Sequence, residues 1–153
     1  MRSLHPLAVL LLGCLAGVTP QLRGADLQVS GSWYRQIGPA DLVAGAGSDF
    51  ASPLYADQNP SSLGVSNTGG EGWTVSARLI TSALPSGVSI GVRADSANGV
   101  ACGTEYLTLS SFEQTLCTGI GDRSGIGLAL RLHGVSNAQP SGGYGATVQY
   151  RVY

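Results

Sequence analysis

Apolar and polar residues alternate with a period of two over several stretches of the chain, which marks strands with one buried face. In the clearest stretch, the last, Tyr144, Ala146, Val148, Tyr150 and Val152 share one face and Gly145, Thr147, Gln149 and Arg151 the other. Just before it, Ile126, Leu128, Leu130 and Leu132 alternate with Gly127, Ala129, Arg131 and His133. Between them, Gln139-Pro140-Ser141-Gly142-Gly143 is rich in turn formers, so the two runs are expected to pair as an antiparallel hairpin. A second hairpin is expected where Trp73, Val75, Ala77 and Leu79 alternate with Thr74, Ser76, Arg78 and Ile80. There the turn Leu84-Pro85-Ser86-Gly87 leads into Val88, Ile90 and Val92.

Weaker strand patterns lie at 27–37, with Leu27, Val29, Gly31 and Trp33 on one face, and at 63–67, 106–109 and 112–116. The segment 38–61 contains Ala44-Gly45-Ala46-Gly47-Ser48 and Ala56-Asp57-Gln58-Asn59-Pro60, which read as long surface loops with at most one short strand. A helical period is not sustained past the amino end, and the one place for a short helical turn is 110–114. Turn residues recur about every 8 to 12 positions, the spacing of short antiparallel strands in a sandwich or barrel. The pattern therefore predicts an all-β domain, an antiparallel β-sandwich of about seven or eight short strands whose two sheets stack about 10 Å apart.

The amino end differs. Met1-Arg2-Ser3 carries a positive charge, and 4–18 is apolar apart from His5. That is the outline of a secretory signal peptide, with cleavage between Ala16 and Gly24, so that residues 1–24 are a leader and 25–153 a single domain. Its apolar run of about 12 to 14 residues falls short of the ~20 that a permanent membrane-spanning helix needs, and no later segment is long enough. Leu11-Leu12-Gly13-Cys14 also has the outline of a lipobox, which would place a lipid on Cys14; the bulky Leu12 and the apolar residues that follow instead fit Cys14 as part of the leader's core. The chain is expected to be exported, to the periplasm, the cell surface or the extracellular medium.

Past the leader two cysteines remain, Cys102 and Cys117. In an exported chain such a pair predicts a disulfide, and a loop of about 15 residues corresponds to roughly 3 kcal/mol in the chain-entropy account. Two thiols with no nearby histidine do not fill a tetrahedral metal shell, so no metal is expected there. From Ala25 onward six arginines stand against nine carboxylates, a net charge near −3 with no lysine anywhere. That balance does not favour a nucleic-acid partner.

Candidate chemistry is thin. The single histidine past the leader, His133, sits on a strand beside Arg131, which removes most nucleophilic triads. Ser-x-x-Lys chemistry has no lysine to use. Asp41, Asp49, Asp57, Glu71, Glu105, Glu113 and Asp122 could in principle supply a hydrolytic carboxylate pair, but no spacing selects one. Asp49, Asp57 and Asn59 cluster as calcium ligands would, without the spacing of a calcium loop. The segment 119–125 is glycine-rich but leads into a strand, so it lacks the helix amides that hold a phosphate and reads as a turn, across which Asp122 and Arg123 could pair. Among the aromatics, Trp73, Tyr144 and Tyr150 fall on apolar faces, leaving Tyr34, Tyr55 and Tyr153 free to stack on a ligand such as a glycan. No catalytic residue and no cofactor are expected.

The ending Gly143-Tyr144-Gly145-Ala146-Thr147-Val148-Gln149-Tyr150-Arg151-Val152-Tyr153 resembles the terminal strand of bacterial pilin-like sandwich domains, in particular the spore coat protein U group and related fimbrial subunits. The resemblance covers about the last 30 residues, together with the plan of leader, Gly-rich strands and a disulfide. It implies an immunoglobulin- or pilin-like sandwich and a structural subunit of a pilus, coat or other appendage, assembled by strand exchange with copies of itself or sibling subunits. On that view Leu27, Val29, Gly31 and Trp33 form the donated strand. Tyr144, Ala146, Val148, Tyr150 and Val152 lie on the strand a periplasmic chaperone would grasp. Both runs also fit internal strands of a complete sandwich. The central position of the cysteines and the spacing of the terminal glycines depart from the best-known pilins. The leading expectation is a non-enzymatic secreted or cell-surface structural protein; the alternative is an extracellular binding module for a glycan or protein ligand, with a small hydrolase third.

Overall fold

The computed structural model describes residues 24–56, 58–96 and 99–153; the leader up to residue 23, with Cys14 in it, and Asp57 lie outside the described residues. Among the described residues there are ten strands: β1 (Asp26–Gly31), β2 (Leu54–Tyr55), β3 (Ser61–Ser66), β4 (Gly72–Ser82), β5 (Ser89–Ala94), β6 (Val100–Cys102), β7 (Leu107–Thr108), β8 (Gln114–Ile120), β9 (Arg123–His133) and β10 (Ala146–Val152). They form two antiparallel sheets. One runs β1-β3-β9-β5-β7, with β2 also bonded to β9, and the other runs β10-β4-β8-β6. The sandwich expected from the alternation is thus present. It holds more strands than expected because β2 and β6 are two or three residues long, too short to show a period.

Neither expected hairpin forms. β9 is central in the larger sheet whereas β10 is an edge of the smaller one, bonded to β4; β4 and β5 are likewise in different sheets. Each of these strands has an apolar face to bury, and a sandwich needs such faces on both layers. The segments 83–88 and 134–145 therefore carry the chain across from one sheet to the other. The expected helical turn at 110–114 is also not formed: the chain bends at Ser111 and Phe112 and enters β8 at Gln114. The helical element of the described residues is a single 3-10 turn at Pro39–Asp41.

The core follows the alternation closely. Leu63, Val65, Val92, Ile126 and Leu128 from the larger sheet meet Trp73, Val75, Ala77 and Leu116 from the smaller. Two bulges adjust the smaller sheet. Between β4 and β8, Leu116 is the extra residue, so that it and Cys117 are both buried. Between β4 and β10 the extra residue is Ile80, which is left half exposed.

Candidate functional site

The sandwich is well filled on one side and open on the other. β1 and β10 are the edge strands of the two sheets, approach each other on the open side, and enclose a cavity of about 840 Å³. Val29, Ile90, Leu130 and Leu132 line it from the larger sheet, Val148 and Tyr150 from the smaller. These are inward positions of regular strands, yet Ile90, Leu130, Leu132, Val148 and Tyr150 are only half buried, and Val29 is 46% exposed. Burial pushes the Tyr150 phenol up to about 12.

The chain after β1 passes over the cavity mouth. β1 stops at Gly31, whose φ of +88° admits glycine readily, and a Cβ there would lie 2.3 Å from the carbonyl oxygen of Pro60. The expected strand over 27–37 is therefore cut short. Trp33 lies outside β1 and lines the mouth with Tyr34 and Phe50. Arg35 fixes this crossing, donating to Asp41 Oδ1 at 2.5 Å and to the Tyr55 carbonyl at 3.2 Å. The Gly38 amide and the Arg35 guanidinium hold the Asp41 carboxyl below the usual range. Tyr144 likewise precedes β10, is 45% exposed instead of core, and donates its hydroxyl to the Pro140 carbonyl.

The remaining candidate residues disperse. Cys102 and Cys117 are free thiols directly opposite each other on β6 and β8. Asp49 accepts hydrogen bonds from the Asn137 and Phe50 amides and the Ser136 hydroxyl, which lower its pKa. Asn59 instead donates to Asp95. Asp122 accepts from the amide and hydroxyl of Thr68 and does not pair with the Arg123 guanidinium, which donates to the Asp122 carbonyl. Glu113 accepts from the Tyr153 hydroxyl and pairs with Arg151 at 2.8 Å. His133 is exposed at the end of β9. No group of three potential metal-ligating side chains exists among the described residues, and no helix there is long and apolar enough to cross a membrane.

One cluster was not singled out by sequence. On the outer face of the larger sheet the rings of Tyr55 and Tyr106 lie 5.7 Å apart, tilted by 55°. The Arg131 and Arg93 guanidinium carbons stand 4.7 and 5.1 Å from the centre of the Tyr106 ring. A signal for it existed. Arg93 and Arg131 occupy polar-face positions of two alternating strands, and β5–β9 pairing sets them one diagonal step apart. Compared with known proteins, the chain matches no family model, no curated protein and no solved structure.

Proposed function

We propose that this chain is a non-enzymatic, exported structural subunit of a coat, pilus or similar surface assembly, and that copies join by exchanging their first strand. The observation that carries this reading is the open side of the sandwich. β1 is bonded to β3 through six register pairs, while four of its last five residues are exposed, Val29 among them. A strand held this way can leave its own β3 and take the same place on a neighbour's, with the same ladder of backbone hydrogen bonds and the same side-chain register. The half-buried residues around the cavity supply apolar area that association can cover. In the exported protein the Cys102 and Cys117 thiols close into a disulfide that stiffens the opposite side of the sandwich.

Ser30 and Ser62 face each other across β1 and β3, with their hydroxyl oxygens 2.9 Å apart. A Ser30→Cys, Ser62→Cys variant therefore links within one chain if β1 is bound at home and between chains if it is exchanged. A ladder of linked copies on a non-reducing gel, collapsing on reduction, is the expected result. A single internally linked monomer that elutes as a discrete monomer and resists denaturant on its own overturns the reading. The alternative, an extracellular binding module, draws support from a different observation, the tyrosine–arginine cluster on the outer face.

A further inference from the structure

We propose that the cluster of Tyr55, Tyr106, Arg93 and Arg131 is a binding site for an anionic sugar residue, carboxylated or sulfated, of an acidic polysaccharide. The inference goes beyond the assembly reading and stands without it, because the cluster lies on the face of the larger sheet that points away from the cavity.

Among the described residues no carboxylate neutralises the two arginines. The ion pairs of the described residues involve Arg35, Arg78 and Arg151, and arginine side-chain hydrogen bonds come from Arg35, Arg78 and Arg123. Arg93 and Arg131 instead rest against the Tyr106 ring, a contact that orients a guanidinium and leaves its N–H fork unused. Gly91 makes this possible: a Cβ there would lie 2.9 Å from Arg131 Nε and 3.3 Å from Tyr106 Cβ. Arg131 thus lies across β5 toward Tyr106. Two adjacent, half-exposed forks whose donors have no described acceptor match the paired oxygens of a carboxylate or sulfate.

The neighbours point to a sugar. Tyr55 is 49% exposed beside the two cations and offers a ring surface against which the apolar face of a pyranose can pack. Further along the same face, Asn59 and Asp95 form a hydrogen-bonded pair over Gly127, where a Cβ would lie 2.2 Å from Asn59 Nδ2. Strand rise places that pair roughly 13 Å from Arg131, within reach of neighbouring hydroxyls on the same chain of sugars. An extended acidic peptide would instead seek a sheet edge, where it finds backbone partners. The chain's net charge of −1 gives a polyanion no general attraction.

The test is affinity electrophoresis of the purified exported protein through gels containing polygalacturonate, heparin, neutral dextran or polyglutamate. Retardation by polygalacturonate, by heparin or by both, with none by dextran, is expected. Which of the two retards assigns the carboxylate or the sulfate. Arg131→Gln and Tyr55→Ala should each weaken retardation at least tenfold, while Arg151→Gln on the other sheet should not. Arg93→Lys with Arg131→Lys keeps the charge but removes the fork, and should also lose most of the effect, with a thermal melt verifying the fold of each variant. The proposal is overturned by no retardation in either acidic polysaccharide, by retardation in polyglutamate alone, or by equal loss in Arg151→Gln.

Discussion

Cys102 on β6 and Cys117 on β8 stand directly opposite each other in antiparallel register, a placement that sets their Cα atoms about 4.5 to 5.5 Å apart, within the span a disulfide bridges. As a reduced pair they are poor nucleophiles, since burial, reinforced by Cys102, pushes the Cys117 thiol up to about 12, and burial also raises Cys102. The bond expected on export is therefore structural, not exchange chemistry. Intact mass of the exported protein should be two hydrogens below the reduced value. Cys102→Ser should lower the unfolding free energy by about 3 kcal/mol in urea. Two free thiols titrating in denatured exported protein would rule the bond out.

Acid should loosen the end of the chain. The Tyr153 hydroxyl first, then Arg151 and Arg78, hold the Glu113 carboxyl below its usual 4.5. A carboxyl depressed in the folded state binds its proton more readily unfolded, so its contribution is complete above about 4.5 and is lost as pH falls through the lower folded value. Asp122, held down by Thr68, and Asp49, held down by the Asn137 amide, act in the same direction. The melting temperature should fall steadily below pH 4.5, and Glu113→Gln should start lower at neutral pH and fall less. Parallel curves for the two proteins would remove Glu113 from this role.

The alternation of Trp73, Val75 and Ala77, or of Ile126 and Leu128, was legible because each side chain's direction is set by its own strand, and all five are buried in the core. Strand partners were not legible. The alternation of β4 is the same whether it pairs with β5 or with β8 and β10, and only long-range packing selects the latter. Trp33 was misplaced because the chain turns out of the sheet at Gly31, a close approach to Pro60 that no local pattern records. Exposure of Tyr34, Tyr55 and Tyr153 followed from their lying off the apolar strand faces and is observed. The gathering of Tyr55 and Tyr106 around two arginines depends on the side-by-side placement of β2, β9, β5 and β7.

Gly119 stands opposite Trp73 on β8, and a Cβ there would lie 2.3 Å from Trp73 Cζ2. The indole cannot simply withdraw, because it is buried and donates its N–H to the Gly121 carbonyl at 2.8 Å. Gly119→Ala should therefore cost about 1 to 3 kcal/mol by overpacking, with a changed tryptophan emission spectrum. Gly64→Ala is the control: its Cβ would meet nothing closer than the Arg123 carbonyl at 3.7 Å, and the change should stay within about 0.5 kcal/mol. Equal costs at the two positions would mean that the ring contact is not the cause.

Alkali should open the cavity side first. Tyr150 faces the cavity, and burial raises its phenol from an ordinary 10 to about 12. Ionisation is thus easier in the unfolded chain, which holds fewer protons than the folded one between these two values. Stability must therefore fall as pH rises from 10 toward 12. Ultraviolet titration should show a last phenolate, that of Tyr150, appearing together with the unfolding transition. Tyr150→Phe should abolish that last step and flatten the alkaline loss of stability. If an extra strand or ligand fills the cavity in an assembled form, Tyr150 becomes more buried and the transition should move to higher pH, so the same titration on monomer and assembly reports whether that side is covered.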